Sequence, residues 1–249
     1  MKDARGKLIL VTGGARSGKS TFAESYAREA SKRVIYIASA AGDDEEMRRR
    51  IEAHRQHRPK HFITVEERYY PHLVLEREGR ADTFILLDCL TLLLSNHLIK
   101  EACREGGGES AALPLPAGQE NALERGKVVE DDAVGRKKRG AGTDGAAERN
   151  ESETPVEAVD WAEGEMLADA AEQERVMGRI LEYIDSLSLL MRSSPADVLV
   201  VTNEVGMGLV PEHPLGRIFR DLSGKANQIV ASRADEVWFT VCGIPQRIK

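Results

Sequence analysis

Eight consecutive residues, Gly13-Gly14-Ala15-Arg16-Ser17-Gly18-Lys19-Ser20, fit the pattern G-x-x-x-x-G-K-[ST]. In that pattern glycines let backbone N–H groups turn onto phosphate oxygens, the lysine reaches the β- and γ-phosphates, and the hydroxyl coordinates magnesium. The mechanism requires a buried strand before the loop and a helix after it. Lys7 to Thr12 supplies an apolar strand-like run, and Lys19 to Ala30 has helical composition and spacing. A chance glycine-rich turn is the alternative, and this context argues against it.

Other groups follow strand-like runs in the same way. Asp88 follows Phe84 to Leu87, where a carboxylate can hold magnesium, or cap the helix that starts near Leu90. Asn203 and Glu204 follow Val198 to Val201, where open α/β sheets bind ligands; they are candidates for a second substrate or a metal. Gly206 and Gly208 equally mark an ordinary turn there. His54-Arg55-Gln56-His57-Arg58-Pro59 places histidines among cations where a helix should stop before proline. That stretch reads either as a solvated helix end or as arginines gripping phosphates around an uncharged, nucleophilic His54.

The elements that must position these groups are strands separated by helices. Val34 to Ala38 and Glu236 to Val241 add two strand candidates. Helices are expected from about Asp43 to Gln56, over Leu90 to Ile99, over Met166 to Met191 and over Pro214 to Ser232. This alternation predicts a mostly parallel sheet with helices on both faces. From 101 to 164 the chain turns charged, small and aperiodic, with Gly106-Gly107-Gly108 and Arg136-Lys137-Lys138-Arg139, and reads as a disordered, solvated insertion. Without it roughly 185 residues remain, the size of one domain.

Composition bounds the partners. With 35 basic and 41 acidic residues, the formal charge of −6 lacks the electrostatic footprint of a nucleic-acid binder. Cys89, Cys103 and Cys242 form no C-x-x-C and cannot all pair, so neither a disulfide framework nor a zinc site is expected. There is no signal-peptide-like start and no membrane-spanning run, so a cytoplasmic protein is expected.

Four stretches together, G-G-A-R-S-G-K-S at 13–20, H-R-x-x-R-P at 54–59, D-C-L-T at 88–91 and T-N-E-V-G-M-G at 202–208, resemble one family. It is the bifunctional adenosylcobinamide kinase and adenosylcobinamide-phosphate guanylyltransferase of cobalamin synthesis. The similarity runs on through Phe219-Arg220-Asp221, Gly224, Asn227-Gln228, Ala234 to Trp238 and Gly243-Ile244-Pro245, over nearly everything outside the insertion. The expected fold is α/β, a RecA-like P-loop NTPase forming a single domain over 1–249, with the 101–164 insertion within it.

The resemblance implies that His54 is the nucleophile that takes GMP from GTP. It also implies that Arg55, Gln56, His57, Arg58, Glu66 and Asp88 contact the guanine nucleotide. It implies ATP and GTP as substrates with magnesium, adenosylcobinamide as the corrinoid acceptor, and a homo-oligomer, expected as a trimer. Phe62 and Leu93 stand where the family pattern has tryptophan, and the insertion is foreign to compact members. Two competing readings remain open from the residues alone. One is a monofunctional small-molecule kinase with His54 as a basic surface residue; the other is a nucleotide-switch ATPase acting through a protein partner.

Overall fold

A computed structural model of the chain describes residues 5–30, 32–40, 45, 48–49, 52, 58–102 and 169–249, all within one compact unit, Met1–Gln119 with Met166–Lys249. Apart from Glu101 and Ala102, the expected insertion lies outside the described residues. So do His54, Arg55, Gln56 and His57, and most of the helix expected before them; Glu45, Arg48, Arg49 and Glu52 are helical.

Among the described residues seven strands build one sheet: β1 (Leu8–Gly13), β2 (Arg33–Ala38), β3 (Ile63–Glu66), β4 (Thr83–Asp88), β5 (Asp197–Asn203), β6 (Glu236–Val241) and β7 (Ile244–Arg247). The helices are α1 (Lys19–Glu29), α2 (Pro71–Glu78), α3 (Leu90–Ala102), α4 (Ala170–Ser193) and α5 (Pro214–Arg233). The strand order is β3-β2-β4-β5-β1-β6-β7, parallel throughout except for the last pair.

Alternation along each strand sends side chains to two apolar layers. Leu8, Leu10, Ile35, Ile37, Ile85, Leu87, Val198 and Val200 pack on α2, α3, α4 and α5. Ile9, Val11, Val34, Tyr36, Phe84, Leu86, Leu199 and Val201 face the other way, against Ala23 and Ala27 of α1. Both faces of the central strands are therefore dry, which is why these strands read as unbroken apolar runs. Phe62 and Leu93, the two positions where the family pattern has tryptophan, are buried at 7% and 0% exposure, one in each layer.

The structure adds three elements that the sequence reading did not include. β3 is a four-residue edge strand that is mostly exposed, and α2 is an eight-residue helix opened by Pro71. β7 is a four-residue edge strand turned back on β6 at Cys242 and Gly243. Both turn residues have positive φ, 52° and 79°, as a two-residue hairpin turn of the primed type demands. Helix α3 also continues past Ile99 to Ala102, because Glu101 is buried against Arg179 of α4, with Arg179 Nη2 2.7 Å from Glu101 Oε2.

Candidate functional site

The phosphate-loop residues lie where β1 ends and α1 begins, and the local packing explains the glycines. A Cβ on Gly13 would stand 2.5 Å from the Thr240 carbonyl oxygen and 2.6 Å from Ser17 Oγ. Gly18 adopts a left-handed conformation at φ 89° as the N-cap of α1, and its Cβ would meet Gly243 Cα at 3.0 Å. Arg16 is also left-handed, at φ 56°. A Cβ on Gly14 would meet nothing within 4 Å, so open space lies in front of it. No side chain among the described residues caps α1 and its first turn holds no acidic residue, which leaves the positive end of the helix facing that space.

Hydrogen bonds hold the loop's shape. Ser17 N donates to Gly14 O at 3.2 Å, Lys19 Nζ donates to the same carbonyl at 3.1 Å, and Gly243 N donates to Ser17 O at 2.8 Å. The β6–β7 turn therefore braces the loop from outside. Thr12 Oγ1, Ser17 Oγ and Asn203 Oδ1 are buried and make no hydrogen bond among the described residues.

Lys19 is buried, and burial holds its ammonium below the usual lysine range. Cys89 and Asp88 are the neighbours that favour its charged form, and burial pushes the Cys89 thiol up to about 12. Asp88 thus reaches Lys19 electrostatically from two strands away. Its backbone is pinned to the residue after β2: Ser39 N donates to Asp88 O at 3.2 Å, and Ser39 Oγ bonds both N and O of Cys89 at 2.8 Å. Asp88 Oδ2 accepts a 2.7 Å hydrogen bond from the Tyr36 hydroxyl.

Sheet register brings the remaining candidates to the same carboxyl edge. Glu66, Ala38, Asp88, Val201 and Val11 form one row across five strands, and Asn203, Gly13 and Thr240 form the row two residues further on. With about 4.8 Å between strands, Asp88 lies roughly 10 Å along the edge from the β1 loop and Glu66 roughly another 10 Å beyond. Glu204 N donates to Gly13 O at 3.1 Å, tying the 204–210 loop to the phosphate loop. Arg58, the one residue of 54–58 described, stacks its guanidinium 3.5 Å over the Tyr36 ring and donates to Thr64 Oγ1 at 2.8 Å.

A buried polar net sets the start of the 204–210 loop. Thr91 Oγ1 accepts from Asn203 N at 2.7 Å and sits 3.3 Å from Thr202 Oγ1. Thr202 Oγ1 donates to Asn227 Oδ1 at 2.8 Å, and Asn227 Nδ2 donates to Asn203 O at 3.1 Å. Thr91, Thr202, Asn227 and Gly243 stood in the stretches that carry the family resemblance but were given no chemical role, and Tyr36 stood only within a strand candidate. The Cys-Gly pair between Val241 and Ile244 was a readable hairpin signal, whereas the net joins residues more than a hundred positions apart.

The site fits a nucleotide with magnesium. Ser20, the second residue of α1, and Asp88 are hard oxygen donors at one edge, the kind of sparse set that magnesium shares with phosphates. Among the described residues no three His, Cys, Asp or Glu side chains gather as a metal cage, and no helix is long and apolar enough to cross a membrane.

Comparison with known proteins places this arrangement. The profile of the family described as cobinamide kinase / cobinamide phosphate guanyltransferase (CobU) matches residues 9–125 and 146–248. The bifunctional adenosylcobalamin biosynthesis protein CobU of Escherichia coli (strain K12) is 34% identical over 242 residues, covering 97% of this chain and 99% of that protein. The bifunctional adenosylcobalamin biosynthesis protein CobP of Pseudomonas aeruginosa is 30% identical over 240 residues, covering 96% of each. A solved structure of an ATPase domain superposes at a TM-score of 0.40 and 11% identity, over 95% of this chain and 69% of that one, which is too distant to bear on the site. With both segments of the profile matched around the described phosphate loop, Asp88 and the 203–204 edge, the chain belongs to the cobinamide kinase / cobinamide phosphate guanyltransferase family.

Proposed function

We propose that the chain phosphorylates adenosylcobinamide and then converts the product to adenosylcobinamide-GDP. The observation that carries this reading is the meeting of the phosphate loop, Lys19 and Asp88 at one sheet edge in a chain of this family. In the first step the corrinoid's aminopropanol hydroxyl attacks the γ-phosphate of ATP or GTP. The hydroxyl proton is lost and the nucleoside diphosphate leaves. Gly13 to Ser20 cradle the phosphates, and Lys19 stabilises charge on the group in transit. Magnesium, held by Ser20 and Asp88, would neutralise phosphate charge when bound.

In the second step His54 attacks the α-phosphate of GTP, expelling pyrophosphate and leaving GMP on the imidazole. The phosphate of the phosphorylated corrinoid then displaces GMP from His54. Dividing the transfer in two replaces one encounter of three bulky partners with two aligned displacements. Arg55, Gln56, His57, Arg58, Glu66 and Asp88 hold the guanine nucleotide, and Asn203 and Glu204 face the corrinoid or the metal. The working form is a cytoplasmic homo-oligomer, a trimer in this reading, with 101–164 an insertion in a single domain.

The test uses GTP labelled at the α-phosphate with magnesium, wild type beside His54→Ala. Acid-labile, alkali-stable label on the wild type alone is expected, while His54→Ala still phosphorylates adenosylcobinamide. A His54→Ala protein that forms adenosylcobinamide-GDP at the normal rate overturns the histidine intermediate. Lys19→Ala is expected to damage both steps, and unchanged GTP affinity and turnover in that variant overturn the phosphate-loop assignment.

A further inference from the structure

Tyr36 is buried on β2, beside the edge strand β3, and is 2% exposed, yet both its hydroxyl and its ring are engaged by residues of the site. Its hydroxyl donates to Asp88 Oδ2 at 2.7 Å, and its ring carries the Arg58 guanidinium at 3.5 Å. Packing alone would be served equally by phenylalanine at this position. The hydroxyl's partner among the described residues is the carboxylate that acts on Lys19.

Arg58 is held just as narrowly. Thr64, its hydrogen-bond partner, is the β3 residue paired with Tyr36 in register, so ring and hydroxyl bracket the guanidinium from two adjacent strands. Arg58 Nε is buried and makes no hydrogen bond among the described residues, which leaves it a donor for an anionic ligand. Ser39, three residues after Tyr36, fixes the Asp88–Cys89 backbone. β2 and the residue that follows it therefore set both the main chain and the side chain of Asp88.

We infer that Tyr36 is the positioning residue shared by the two transfers: its hydroxyl orients Asp88 toward the nucleotide-bound cation and its ring seats Arg58 for the guanine nucleotide's phosphates. This rests on the function proposed above. It is a positional role, because Tyr36 is too buried to meet either substrate.

Two variants separate the two halves of the role. Tyr36→Phe keeps the ring and deletes the hydroxyl, and Tyr36→Leu removes the ring as well. ATP and GTP affinities are measured by equilibrium titration with and without magnesium. For Tyr36→Phe the magnesium-dependent gain in affinity is expected to shrink at least five-fold, while magnesium-free affinity holds. A loss spread equally over both conditions means a merely structural tyrosine, and an unchanged magnesium gain removes the hydroxyl's role; either result overturns that half.

Labelling of His54 by α-labelled GTP, at magnesium saturating for each variant, is expected to stay within about three-fold of wild type in Tyr36→Phe and to fall at least ten-fold in Tyr36→Leu. Equal labelling of the two variants overturns the seat for Arg58. If Tyr36→Leu fails to fold, Arg58→Lys, which keeps charge but cannot stack in the same way, takes its place with the same expectation. A wild-type chain that takes no label overturns the guanylyl-transfer reading and the arginine half with it, while the magnesium titration still decides the role of the hydroxyl.

Discussion

Substituting His97 with glutamine should flatten the acid side of the stability curve. His97 is fully buried in α3, and its Nε2 donates to the Tyr69 carbonyl at 2.8 Å. Its Nδ1 is buried and makes no hydrogen bond among the described residues, so a second proton there would have no acceptor. Burial, opposed by the Tyr69 carbonyl and helped by Lys100, pushes its pKa down to about 4; Glu101 and Glu67 pull the other way. The sign follows directly. Between the ordinary value of 6.5 and about 4 the unfolded chain binds a proton that the native chain refuses, so stability falls as pH drops through that window.

At 1.36 kcal/mol per unit, the loss from this one group is about 2 kcal/mol at pH 5 and approaches about 3 kcal/mol below pH 4. A glutamine amide in its place can keep a donor on the Tyr69 carbonyl but cannot titrate. Urea unfolding followed by circular dichroism at pH 7.5, 6 and 5 should show the wild type losing about 2 kcal/mol more than His97→Gln. Carboxylates, and His72, whose pKa burial also lowers, remain in both proteins and cancel in the difference. Parallel curves for the two proteins would refute the argument.

Two further perturbations test the site's framework. Gly13→Ala should cut nucleotide affinity at least a hundred-fold in a fluorescent-nucleotide titration, because its Cβ would sit 2.5 Å from a backbone oxygen, whereas Gly14→Ala should leave the melting temperature near wild type since its Cβ meets nothing within 4 Å. Thr91→Val keeps shape but leaves the Asn203 N–H without its 2.7 Å acceptor, which should cost about 1–3 kcal/mol in denaturant unfolding; an unchanged midpoint would mean that water replaces the hydroxyl.

What the sequence made legible follows from how each signal is encoded. β1, β2, β4, β5 and β6 were readable because two-sided burial leaves no polar gaps in Leu8 to Val11 or Phe84 to Leu87. β3 was not, because Ile63 and Thr64 are exposed at the sheet edge and carry no burial pattern. β7 was hidden by Pro245, which an edge strand tolerates because one side of its backbone is unpaired. The phosphate loop and Asp88 were legible because local sequence fixes their place at strand ends. Tyr36 was not, since a tyrosine inside an apolar run looks like core, and its partner Asp88 lies 52 residues away. The Thr91–Asn203 bond spans 112 residues and is equally invisible to spacing.

The strand order also constrains how two reactions can share one edge. From the phosphate loop on β1 to Glu66 on β3 there are four strand intervals, roughly 19 Å, about twice the distance from either end to Asp88. A nucleotide whose γ-phosphate sits against Lys19 must therefore extend along the edge to bring any part of itself to Arg58 and Glu66 on the β3 side. Asp88, at the midpoint and held by Tyr36 and Ser39 of the neighbouring chain segment, is the acidic group of the row that lies within about 10 Å of both ends. The insertion of β4 and β5 between β1 and β2 thus sets the span over which one sheet edge must serve the two reactions proposed above.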